Sequence, residues 1–95
     1  MYQSMGILEV VGMAAATACT DRMIKSAFVQ IDKMEKTGSG LLTIIIRGDL
    51  ASVQYAIEKG AEEAMKFNAL YQYEVIPRPY EGIESVFGIG GKGDK

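Results

Sequence analysis

Apolar and polar positions change period repeatedly along this chain, and each change marks an element. Gly6-Ile7-Leu8-Glu9-Val10-Val11 is rich in branched apolar residues and stops at Gly12, as a first strand does. From Met13 to about Ser26 the residues Met13, Ala16, Cys19 or Thr20, Met23 and Ala27 recur at spacings of three and four. That spacing predicts a helix with one apolar face, kept thin by Ala14, Ala15, Ala16 and Ala18 so that it packs closely on a sheet. Val29 and Ile31 then alternate with Gln30 and Asp32, and the phase breaks near Lys33 and Met34, which predicts a strand from Phe28 to Glu35 with a bulge. Leu41-Leu42-Thr43-Ile44-Ile45-Ile46 is apolar almost throughout, the pattern of a central strand covered on both faces.

Asp49 can cap a second helix, whose core face is expected to hold Val53, Ala56, Ile57, Ala61 and Ala64. Gln54, Glu58, Glu62, Glu63 and Lys66 are expected to point outward, with Glu62 and Lys66 at a mutually supporting spacing. Tyr71, Tyr73 and Val75 alternate with Gln72 and Glu74 in a last strand, Leu70 to Ile76, which Pro77 ends. The predicted order is β-α-β-β-α-β, an α+β domain. Beyond Tyr80 a short helical turn through Ile83, Glu84 and Phe87 is expected, so that residues 1–87 form one domain and the glycine-rich residues 88–95 a flexible tail.

Composition narrows the function. Ninety-five residues suffice for one compact domain, and 48% hydrophobic with 23% charged residues is ordinary for a globular protein. Ten basic residues against twelve acidic ones leave a net charge of −2, so no basic surplus exists to neutralise a nucleic-acid backbone. No apolar run approaches the length of a membrane span, and the start, Met1-Tyr2-Gln3-Ser4-Met5, lacks the positive cluster and apolar stretch of a secretory signal; a cytosolic protein with no membrane partner is expected. Histidine is absent and Cys19 is the lone cysteine, which excludes an internal disulfide and much catalytic and metal chemistry. Cys19 and the methionines Met5, Met13, Met23, Met34 and Met65 read as packing residues, and no cofactor is expected.

Two segments at strand ends carry the remaining information. In Lys36-Thr37-Gly38-Ser39-Gly40, glycines flank a small hydroxyl residue, so the turn can approach another surface closely and expose N–H groups beside Ser39. In Val75-Ile76-Pro77-Arg78-Pro79, prolines fix the backbone on both sides of Arg78, so its guanidinium leaves at a preset angle with donors for carbonyls or carboxylates.

Together with Gly6-Ile7-x-Glu9 and Gly12, Asp21-x-Met23-Ile24-Lys25-Ser26 and Arg47-Gly48-Asp49, these segments resemble, in order and spacing from about Met5 to Pro79, the single-domain, hexamer-forming shell proteins of bacterial microcompartments. Shell hexamers of ethanolamine, propanediol and carboxysome compartments are of this type. The resemblance implies a ferredoxin-like domain that forms a flat cyclic hexamer, tiles with neighbouring hexamers and other shell proteins into a sheet enclosing enzymes, and lies in the bacterial cytoplasm. It implies no catalysis. Gly38, Ser39 and Gly40 would line a central pore for small polar metabolites, and Lys25 and Arg78 would form the contacts at the hexamer edge. Arg22, Val11, Glu74 and Tyr80 depart from the usual pattern around the edge, with Arg22 expected to add charge there. The run Glu84-Ser85-Val86-Phe87-x-Ile89-Gly90-x-Lys92-Gly93-Asp94 is similar to tails of ethanolamine-compartment shell proteins.

Other readings stand beside this one. By itself Gly38-Ser39-Gly40 is an ordinary hairpin turn, Lys25 a solvated lysine favoured by a helix C-terminus, and Arg47-Gly48-Asp49 a strand end and helix cap rather than an adhesion tripeptide. A trimeric regulatory module of the same element order could bind a small effector, with Arg47 or Lys36 contacting an anion. An acylphosphatase-like enzyme would need an anion-binding loop after the first strand, where Val10-Val11-Gly12-Met13 carries no charge, and Asn68 is the sole asparagine.

Overall fold

The computed structural model describes residues 3–78. The expected helical turn through Ile83, Glu84 and Phe87 and the tail 88–95 lie outside the described residues. Within them the order is β1 (Ser4–Val11), α1 (Met13–Ser26), β2 (Gln30–Lys36), β3 (Leu41–Gly48), α2 (Leu50–Lys66) and β4 (Leu70–Ile76). The strands form one antiparallel sheet in the order β2-β3-β1-β4, so the two long, apolar strands β1 and β3 occupy the middle. This is the α+β element order expected from the pattern, in the ferredoxin-like arrangement that the resemblance implied.

Both helices pack on one face of the sheet. Leu8 and Val10 of β1 and Leu42, Ile44 and Ile46 of β3 point into them, and Ala15, Ala16, Cys19 and Met23 of α1 meet Val53, Ala56, Ile57, Ala61 and Ala64 of α2 to complete the core. Small residues bring the layers close. A Cβ at Gly6 would stand 2.7 Å from Ile57 Cγ1 and 2.9 Å from Val53 Cγ1, and one at Gly60 would stand 2.8 Å from Met23 Sδ. Asp49 caps α2 as expected: its carboxylate accepts from the Ser52 N–H at 2.9 Å and the Ser52 hydroxyl at 3.0 Å. These bonds hold its carboxyl below the usual aspartate range.

Several expectations require correction. β3 is central, but the helices cover only one of its faces; on the other, Leu41, Ile45 and Arg47 are half-buried and only Thr43 is buried. On that face the Thr43 hydroxyl donates to Glu9 of β1 and Arg47 pairs with Asp32 of β2, so neighbouring side chains rather than a second helical layer partly cover it. Met13 is exposed because it opens α1 beyond the sheet, and Met34 and Met65 are exposed as well, so of the expected methionine packing only Met23 is fully buried. β2 begins at Gln30 rather than Phe28, so Phe28 lies ahead of the strand and is 93% exposed, and the bulge falls between Ile31 and Lys33.

Helix and strand faces also carry surprises. Glu62 is half-buried rather than outward, and it pairs with Arg22 rather than with Lys66, whose partner is Glu63 at 3.4 Å. A register shift between Glu9 and Val10 breaks the alternation of β4, so that Leu70 sits opposite Val10 and Tyr73 opposite Leu8, both on the helix-covered face.

Candidate functional site: a hairpin tip and the opposite end of the sheet

The tip between β2 and β3 is built from residues 37–40. The Thr37 N–H donates to the Leu41 carbonyl at 2.9 Å and the Leu41 N–H donates to the Gly38 carbonyl at 3.4 Å, closing a tight turn. Ser39 has φ 64 and Gly40 φ 78, consecutive left-handed residues that Gly40 adopts freely and Ser39 at a cost of about 1 kcal/mol. That conformation spends the turn's hydrogen bonds at its base. Among the described residues the N–H groups of Gly38, Ser39 and Gly40 donate to no protein acceptor, so the tip offers free donors beside the Ser39 hydroxyl. The Gly40 carbonyl instead accepts from the Gly12 N–H at 3.0 Å, which ties the tip to the start of α1. A cavity of about 500 Å³ lies against this junction, lined by Met13, Lys36, Thr37 and Leu42 among others.

Lys25 and Arg78 lie at the other end of the sheet. Lys25 is in the last turn of α1, largely exposed, with its Nζ 3.3 Å from the Asp21 carboxylate one turn earlier. Arg78 follows β4, and its backbone N–H donates to the Ser4 hydroxyl at 3.4 Å, which fastens this segment to the first residue of β1. The hairpin tip meets the far end of the same strand. Eight residues of β1 separate the two places by about 26 Å at the usual strand rise. The residues singled out in the sequence therefore fall in two groups at opposite ends of the sheet.

The structure reassigns other groups. Arg22 does not stand free: its guanidinium reaches Glu63 at 2.9 Å and Glu62 at 3.2 Å, joining α1 to α2. Arg47 pairs with Asp32 at 3.2 Å, so its charge is already matched across the β2–β3 ladder. On the helix-free face Glu9 accepts from the Thr43 hydroxyl at 3.0 Å and from the Gln72 amide, a polar link across three strands. Cys19 is fully buried, and its thiol is pushed up to about 11, first by that burial and then by the Glu63 charge. A thiol so protonated is a core group and no nucleophile. Among the described residues no cluster of three metal-ligating side chains occurs.

Sequence reasoning missed one feature of the surface. Met65, Phe67, Tyr71 and Tyr73 are all exposed around the junction of α2 and the edge strand β4, where a groove of about 610 Å³ runs between the two elements. The alternation of β4 suggested a face for the tyrosines, yet it carried no sign that α2 stops short of covering them.

Comparison with known proteins decides the family. Residues 4–79 match the BMC domain model, which takes in every element described above. The chain belongs to the BMC-domain family. Among curated proteins this BMC domain is 52% identical over 82 residues to the bacterial microcompartment shell protein PduK of Salmonella typhimurium strain LT2, covering 85% of this chain and 51% of that protein. It is 38% identical over 92 residues to the shell protein EutM of Escherichia coli strain K12, covering 97% of this chain and 95% of EutM. The chain thus spans about half of one relative and nearly all of another. A crystal structure of a microcompartments protein from Desulfitobacterium hafniense DCB superposes with a TM-score of 0.76 at 22% identity, covering 97% of this chain and 51% of the other, and shares its fold. No helix among the described residues is long and apolar enough to cross a membrane.

Proposed function

We propose that this BMC domain is a structural subunit of a bacterial microcompartment shell, without catalytic activity, and that it forms cyclic hexamers that tile edge to edge with like hexamers and other shell proteins in the bacterial cytoplasm. In this reading the Gly38-Ser39-Gly40 tips converge on the hexamer axis and line a pore for small polar metabolites. Lys25 and Arg78 lie at the rim, where neighbouring hexamers meet. The relatives named as shell proteins support the assignment. The observation that carries the geometry is the separation of the tip from Lys25 and Arg78 by the length of β1, because a subunit of a tiling ring needs one end for the axis and the other for its neighbours.

Exposed apolar surface supports assembly independently. Met65, Phe67, Tyr71 and Tyr73 leave a patch around the unpaired edge of β4 that a monomer would hold in water. Rings that bury such flanks against their neighbours remove both the apolar surface and the open strand edge.

Native mass measurement and negative-stain imaging of the purified chain, with and without Lys25→Ala, test the proposal. Hexamers that grow into sheets or tubes are expected from the parent chain, and free hexamers from Lys25→Ala. A discrete trimer or monomer would reject the shell reading, and loss of the hexamer in Lys25→Ala would move Lys25 from the rim to the interior of the ring.

A further inference from the structure

Resting on that reading, we infer that Phe28 is an apolar knob of the contact between rings, entering the shallow cavity beside its own counterpart on a second copy of this chain. Phe28 lies between α1 and β2 and is 93% exposed, the most exposed large hydrophobic residue among those described. Ile24, one helical turn earlier, is 48% exposed on the same corner. An aromatic ring held in water on a short connection does nothing for its own fold, where a polar residue would serve the turn better.

The backbone around it is fixed. Val29 N–H donates to the Ala27 carbonyl at 3.0 Å, and the Phe28 carbonyl lies so close to Gly48 that a Cβ there would meet it at 3.0 Å. The connection is therefore packed on the end of β3, which sets where the ring can point. Beside the ring lie two depressions of about 250 and 260 Å³; Ile24, Ala27 and Phe28 border both, and Gln3, Val29 and Arg47 close the larger.

A knob next to a hole on one patch is what a two-fold contact between identical surfaces requires, since each copy must both insert and receive. The charges on this corner match the same symmetry. Lys25 and Asp21 are exposed side by side on α1, so a two-fold axis can set each lysine against the facing aspartate. Phe28 adjoins Lys25 in this corner, which makes the proposed rim continuous from the charged pair to the ring. The occupant is thus a second copy of the chain, and the ring at its centre has the character of an interface anchor, desolvated within a charged border.

Phe28→Ser, Phe28→Leu and the parent chain, compared as purified full chains, test this. Phe28→Ser is expected to keep the parent's circular dichroism and its hexamer mass while raising the concentration at which sheets appear by about tenfold or more, with Phe28→Leu between the two. In sheets of a Phe28→Cys chain a short bis-maleimide is expected to link chains in pairs, and in free hexamers to link none; Cys19 is buried and stays silent. Sheets of Phe28→Ser at the parent's concentration would overturn the knob while leaving the shell reading intact. Loss of the hexamer in Phe28→Ser, or absence of paired cross-links in sheets, would also overturn it. Failure of the parent to form hexamers would instead reject the shell reading on which it rests.

Discussion

Single residues set how closely the layers of this domain approach. Gly6 is the clearest case, because a methyl group there would meet Ile57 Cγ1 at 2.7 Å, Ile57 Cδ1 at 2.9 Å and Val53 Cγ1 at 2.9 Å together. Two of those atoms are γ-carbons bonded directly to the β-branched Cβ atoms of α2, whose stiff rotamers leave them little room to swing away, so the helix itself would have to move. Alanine suits a strand slightly better than glycine, a gain of at most about 1 kcal/mol. Overpacking outweighs that gain, and Gly6→Ala is expected to lower stability by about 1–3 kcal/mol. Urea midpoints of parent and variant at one protein concentration measure it, the concentration being held because the proposed assembly would add to apparent stability; an unchanged midpoint would show that α2 yields without cost. The position was visible in the sequence as part of a motif, but its reason was not. A glycine inside an apolar strand says that something comes close without saying what, and only the packing of α2 across β1 identifies Ile57 and Val53.

The two helices are joined by an element-scale device that the sequence concealed. Arg22 of α1 reaches Glu62 and Glu63 of α2, and only about a third of its side chain is exposed. Lys59 and Lys66 also lie within 3.5 Å of these carboxylates, so removing Arg22 leaves neither acid without a cation. Arg22→Ala is therefore expected to cost about 1 kcal/mol rather than the larger penalty of an orphaned buried charge. Arg22→Lys should recover less than half of that, since a point charge cannot hold two carboxylates as the guanidinium fork does. Thermal melts of the three chains check the order, and equal melting of Lys and Arg versions would remove the fork from the account. Periodicity put Glu62 on the outward arc of its helix, and the resemblance expected Arg22 only to add charge at an edge. What neither could supply is the relation between the two helices. The same limit explains the rest: element order, the Asp49 cap and most core positions follow from local period and were legible, whereas the β4 register shift, the one-sided cover of β3 and the exposed ring of Phe28 depend on which element lies across from which. The candidate sites were legible as motifs, and their separation by the length of β1 emerged only with the topology.

At the scale of the whole molecule the question is what passes through an assembled ring. If the tips meet at its axis, each contributes the free N–H groups of residues 38–40 and one Ser39 hydroxyl held by a left-handed backbone. A polar solute crossing such a ring exchanges water contacts for these donors, while a less polar aldehyde gains little from them. Bulk and polarity can be separated by two changes at one position. Ser39→Leu fills the opening and replaces the hydroxyls with apolar surface, so it is expected to slow entry of small polar alcohols and anions severalfold. Ser39→Ala removes only the hydroxyl and keeps the N–H groups, so its effect should be much smaller. Both variants keep the strained left-handed residue, and a loss of hexamer mass would reveal a turn that could not hold the new side chain. The rates of an enzyme enclosed in shells of each variant, intact and then ruptured, provide the measurement, because rupture restores the rate only where the shell was the barrier. Equal rates in intact Ser39→Leu and parent shells would mean that solutes cross elsewhere, and the tip would return to being a hairpin turn that happens to lie near an axis.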